Sequence, residues 1–84
     1  MSLDEAARYL GMRWRTLKGW MLDMGWIIEM GGSQPYCTYE GRAQGYVSPL
    51  HEVRHAFGQS IQVETGYRIM PAGLAILKLV RDRQ

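Results

Sequence analysis

A chain of 84 residues can bury one small core and leaves nothing for a second, so residues 1–84 are expected to form a single domain. Apolar residues make up 46% of it, which argues against a disordered segment, and one cysteine excludes an intrachain disulfide. A net charge of +2 is only mildly basic, so any nucleic-acid surface must come from local grouping of charge rather than from its total.

The first element opens on Ser2, followed three residues later by Glu5, the spacing of a capping box in which each side chain satisfies the other's backbone N–H. Leu3, Ala6, Ala7 and Leu10 then follow one helical face, and Gly11 suits the left-handed residue that ends a helix. A second helix is expected from about Arg13 to Met24, with Leu17, Trp20, Met21 and Met24 on its apolar face and Gly25 as its stop. The small residue Ala7, four before Gly11, marks the place where two crossing helices approach most closely, with Met12 and Leu17 filling the angle. Arg13, Trp14, Arg15, Thr16, Lys18 and Gly19 are left pointing outward, where helix-turn-helix motifs place base and phosphate contacts. Trp14, three residues before Leu17, has an inward alternative. A solvated basic face on a purely structural corner fits the same pattern.

Beyond Gly25, "WIIEM" reads as a strand ending near Met30, and "GGSQP" as a turn. In "YCTYEGRAQG", Tyr36, Tyr39 and Ala43 could share a helix face, but Gly41 weighs against a helix there. "YVSPLHEV" and "SIQVETGYRI" read as two strands joined by a hairpin tip in "HAFGQ". The second strand alternates Ile61, Val63, Thr65, Tyr67 and Ile69 on one face, while Pro49 would put the first at an edge or break it early. Pro71 fits the first position of a closing helix with an apolar stripe of Ile76, Leu77 and Val80. Lys78, Arg81 and Arg83 suit the negative end of that helix dipole. The fold expected is α+β, a winged helix-turn-helix with a β-hairpin wing and a C-terminal helix. Arg54 and His55, near the hairpin tip, would add contacts from the wing.

Catalytic readings fare worse. His51 and His55 flank "HEVRH" in a strand rather than on a helix, so no metal site is expected. Cys37 has no basic neighbour in sequence and reads as a small half-buried residue rather than a nucleophile. "MGGSQP" lacks the lysine and helix of a phosphate-cradling loop, and the tryptophans and methionines sit at core spacing that needs no cofactor. No enzymatic activity and no cofactor are expected. No apolar run is long enough to cross a bilayer and no leader is visible, which points to the cytoplasm, without a membrane partner.

The run "LDEAARYLGMRWRTLKGWMLDMGWI", the Pro-Tyr after a glycine-rich turn, the later "GYV" and the closing "YRIMPAGLAIL" occur in an order that resembles the KilA C-terminal domain of phage antirepressor proteins. The resemblance covers nearly all of the chain. Its small-residue and glycine corner falls on Ala7 and Gly11, its Leu-plus-aromatic second helix on Leu17 and Trp20, its later aromatic on Trp26 and its Pro-x-Gly opening on Pro71 and Gly73. The chain departs from the family at Met70, where a threonine usually caps the last helix, and at Trp14 and Gly19, unusual residues for an outward face. The resemblance implies a prophage or phage protein acting in the lysogeny and lysis circuit of a host bacterium, with double-stranded DNA as partner. Arg13, Arg15, Thr16, Lys18, Arg54 and His55 would make the DNA contacts. The alternative is a small inhibitor that binds a phage repressor or host protein directly, with Trp14 as anchor, since an aromatic beside arginines is the composition of an interface hot spot. A homodimer is compatible with either.

Overall fold

The computed structural model describes residues 1–31 and 35–84. Helix α1 (Leu3–Leu10) opens with the expected capping box: Ser2 Oγ accepts from the Glu5 N–H, and Glu5 Oε1 from the Ser2 N–H, both at 3.1 Å. Those bonds hold the Glu5 carboxyl below its usual range. Gly11, at φ 66°, ends the helix, and the Met12 N–H turns back to the Ala7 carbonyl at 2.9 Å. Helix α2 (Trp14–Asp23) follows at once, so the corner is as short as the spacing of Ala7 and Gly11 requires. Ala7, Leu10, Leu17 and Met21 are buried where the helices meet, Trp20 is half-buried, and Met24 reaches the surface.

Strand β1 (Ile27–Ile28) pairs antiparallel with β2 (Tyr36–Cys37). The strand expected to run to Met30 is therefore two residues long, and the turn expected over "GGSQP" falls partly outside the described residues. Helix α3 (Tyr39–Ala43) corrects the expectation at Gly41. Thr38 caps it, accepting from the Gly41 N–H at 3.0 Å while its hydroxyl lies against the carbonyl oxygens of Gly25 and Trp26. The proposed face of Tyr36, Tyr39 and Ala43 is not the buried one: Tyr39 and Ala43 are exposed, and Gly41 is buried. A Cβ on Gly41 would stand 2.5 Å from the Trp26 carbonyl oxygen, so close packing against backbone outweighs the helix penalty of glycine.

Strands β3 (Val47–Ala56) and β4 (Gln59–Ile69) form the second antiparallel ribbon, which runs through Pro49 without a break. Phe57 and Gly58, at φ 53° and 72°, make the two-residue turn that matches strand twist. Leu50 pairs with Gly66 but His51 with Glu64, leaving Thr65 as a bulge. The bulge reverses the parity of β4, so Ile61 and Val63 lie on the face opposite Tyr67 and Ile69; the single alternating face expected from sequence is split in two. Helix α4 (Pro71–Asp82) begins on Pro71 with Met70 as an N-cap that makes no side-chain bond.

The fold is a small α+β arrangement of four helices and two antiparallel hairpin sheets among the described residues. Ala6, Ala7, Leu10, Leu17, Met21, Trp26, Ile27, Val47, Ile69 and Leu77 form one core. Tyr46 packs against this core with its ring centroid 4.5 Å from that of Trp26. Two long-range ties close this body. The Arg81 guanidinium donates to the Leu10 carbonyl at 2.9 Å, capping the C-terminal end of α1, and Met1 exchanges hydrogen bonds with Ile69 on the outer edge of β4. The far part of the β3–β4 ribbon joins none of this. It projects as an arm, stretching the long axis to 51 Å and the radius of gyration to 14.0 Å, where a compact chain of this length would have about 12 Å.

Candidate functional site

The exposed side of the helical corner is a groove of about 530 Å³ bounded by α1 and the start of α2, with Arg8, Arg13 and Arg15 on its walls, Trp14 as a ridge and Asp4 as its acidic member. Local geometry explains the charge. Arg13 is the N-cap of α2 and supplies no side-chain acceptor, and the first turn holds no acidic residue, so the positive end of the helix dipole is left uncompensated beside two arginines. Arg8, Arg13 and Arg15 enter no ion pair among the described residues. Trp14 is 44% exposed and does not pack inward; the Arg15 guanidinium lies over its ring, 5.3 Å from the centroid. Thr16, on the same turn, is exposed. Gly19 has open space where a Cβ would stand, so packing within the chain does not require glycine there.

A second groove, of about 750 Å³, continues from the other side of Trp14 past Ser2 and Lys18 to the base of the arm at Leu50, Thr65 and Tyr67. Lys18 is less free than its position on the helix suggests. Its ammonium pairs with Glu29, after β1, at 3.0 Å. Arg54 and His55 stand apart from the grooves, on the distal arm and on opposite faces of β3. Arg54 approaches Glu52 on its own strand at 3.5 Å, and His55 Nδ1 lies 3.0 Å from the Ser60 hydroxyl across the ribbon. The structure thus brings Arg13, Trp14, Arg15 and Thr16 together, adds Arg8, ties Lys18 to a neighbour, and carries Arg54 and His55 out on the arm. Arg8 escapes a sequence reading because it looks like a dipole-compensating residue in the last turn of α1. The exposure of Ile61 on the arm escapes it because its alternation with Val63 resembles that of a half-buried strand.

His51 and His55 share a strand face at a spacing of about 13 Å, too far apart to hold one metal ion together. Among the described residues no group of three or more His, Cys, Asp or Glu converges on one point. Cys37 packs between β1 and β4 near Glu64 and Tyr67. Burial, reinforced by the Glu64 carboxylate, pushes its thiol up to about 11, and burial pushes the Tyr67 phenol up to about 12. At neutral pH Cys37 is a protonated thiol and a poor nucleophile. Among the described residues no helix is long and apolar enough to cross a membrane. Comparison with family models, with curated proteins and with solved structures returned no match.

Proposed function

We propose that the chain is a winged helix-turn-helix DNA-binding domain of the phage antirepressor type, acting in the circuit that decides between lysogeny and lysis. The observation that supports this most is the groove in which Arg8, Arg13 and Arg15 surround the exposed first turn of α2, with Asp4 as the acidic residue of its lining. In this reading α2 enters the major groove, its uncompensated N-terminus and flanking arginines meet phosphates, and Thr16 and the bare backbone at Gly19 let the helix sit close to the base edges. The arm serves as the wing, with Arg54 or His55, one from each face of the ribbon, reaching the backbone one groove away. Lys18 joins only if a phosphate displaces Glu29 from a pair whose lysine is half-buried.

A direct test is the salt dependence of binding to random duplex DNA, measured by fluorescence anisotropy. Arg13→Ala and Arg15→Ala should each weaken binding on all sequences alike and lower the salt slope by about one unit, and Arg8→Ala should do the same. If Arg15→Ala leaves both affinity and slope unchanged, α2 is not the DNA-facing helix.

One observation favours a second reading, in which the same groove grips a phage repressor or host protein. Trp14 is a large aromatic standing between two grooves with an arginine over its ring, which is how interface anchors are built. Trp14→Ala should cost about 2 kcal/mol or more in binding to a protein partner but only a modest loss of DNA affinity. A loss confined to protein binding would reverse the order of the two readings.

A further inference from the structure

We propose that the outer edge of β3 is the seam of a symmetric dimer, in which the arms of two copies pair antiparallel about a two-fold axis at Val53. The seam does not depend on the grooves binding DNA, but in the dimer Arg54 belongs to the seam and the wing contact of the proposed function falls to His55. Ala56 and Gln59 close the two-residue turn, so even-numbered residues of β3 turn their N–H and C=O groups toward β4. At the other end, Met1 occupies the outer side of Ile69, so the pair Val47 and Ile69 is one whose polar groups face away from the ribbon. Pro49, which has no N–H to give, stands at an odd position, as the same alternation demands. His51, Val53 and His55 therefore aim their backbone groups outward, all three are exposed, and they take part in no backbone bond outside the ribbon among the described residues.

The side chains along this edge fit a second copy, and one register gives complementary charges where its immediate neighbours give like ones. In "HEVRH" an axis at Val53 sets Glu52 opposite the partner's Arg54 and Arg54 opposite the partner's Glu52. Each Arg54 already reaches its own Glu52 at 3.5 Å, so the four charges would alternate around the seam. Moving the axis by one residue either way sets two glutamates or two arginines face to face, which is destabilising. Edge strands ordinarily carry charge to repel pairing; here the signs are complementary under one operation, that of a second copy turned by 180°.

The same axis explains apolar groups that the single chain leaves in water. Val53 meets the partner's Val53, Leu50 the partner's Ala56, and the tip residue Phe57 reaches the partner's Pro49. Phe57 is fully exposed and held at φ 53°, a conformation that a bulky residue adopts at a cost and that no contact among the described residues repays. An isolated two-stranded ribbon is marginal in water, whereas four strands support one another. The outer edge of β4 is a weaker candidate because Met1 occupies its base and it carries no complementary charge pair.

Sedimentation equilibrium on the full chain tests the seam. Glu52→Arg and Arg54→Glu should each weaken self-association about tenfold or more, and the double exchange Glu52→Arg with Arg54→Glu should restore it to within about threefold. Val53→Pro removes an outward N–H without touching the β3–β4 ladder, and should abolish the dimer while circular dichroism and melting stay those of the dilute parent. Amide exchange at His51, Val53 and His55 should slow as the parent is concentrated. A parent that stays monomeric at high concentration overturns the proposal. So does a dimer that survives both Val53→Pro and the single charge reversals, because it uses another surface. Protection of the three amides that appears only on adding DNA or an extended peptide would also overturn it, by assigning the edge to that occupant.

Discussion

The body and the arm of this molecule are held together by different physics. Core residues from α1, α2, β1 and α4 converge with Val47 and Ile69 from the very base of the ribbon, whereas from Ser48 to Arg68 only Gly66 is buried. The body is stabilised by burial and by close backbone contacts; the arm relies on its ladder, its turn and its tether to the body. Side chains are therefore constrained in the first and available in the second, and the two should answer differently to the same kinds of substitution.

The sharpest break should come at Gly73, where a Cβ would stand 2.2 Å from the Tyr46 carbonyl oxygen and neither backbone can retreat. Gly73→Ala is expected to cost about 3 kcal/mol or more, read as a fall in the denaturation midpoint. If it melts like the parent, α4 does not dock as described. Ala7→Leu should follow, at about 1–3 kcal/mol, because it overfills the crossing of α1 and α2.

Alkaline pH probes the border between the two regions, where Cys37 and Tyr67 sit. Both groups hold their protons more tightly folded than unfolded, so stability from this source is complete below pH 9 and falls as pH rises from about 9 to 12. The effect is reduced by the solvent that both side chains retain. Cys37→Ala combined with Tyr67→Phe should flatten melting temperature over that range, and an unchanged pH profile would remove burial as the cause.

The smallest effect, and one of opposite sign, is expected at the tip. Phe57→Asn relieves the left-handed strain and should slow amide exchange in the dilute arm by about 1 kcal/mol, leaving exchange in the body untouched. Faster exchange at the tip would mean that Phe57 packs after all.

How far the sequence could be read follows the range of the interactions rather than the border between body and arm. The capping box at Ser2 and the end of α1 at Gly11 were legible because their chemistry is complete within a few residues. The hairpin tip was legible for the same reason. The bulge at Thr65 was not, because it belongs to the pairing of two strands and no residue announces it. Helix α3 was misjudged because the approach of Gly41 to Trp26 is tertiary, and the reach of Lys18 to Glu29 was hidden for the same cause. At the candidate site, Arg13, Arg15 and the exposure of Trp14 followed from helical period, while Arg8 joined them only once the corner was folded.

Arg81 bears on the order of events in folding. Its bond to Leu10 joins residues 71 apart in the chain, and the bond between Met1 and Ile69 spans 68. The ribbon pairs near neighbours and can zip within roughly 1–10 μs, whereas the body must wait for both ends of the sequence to meet. The arm should thus form and melt repeatedly while the core is still open, being marginal by itself, and the arrival of α4, with Arg81 fastening it to α1, should set the pace at which the molecule becomes native.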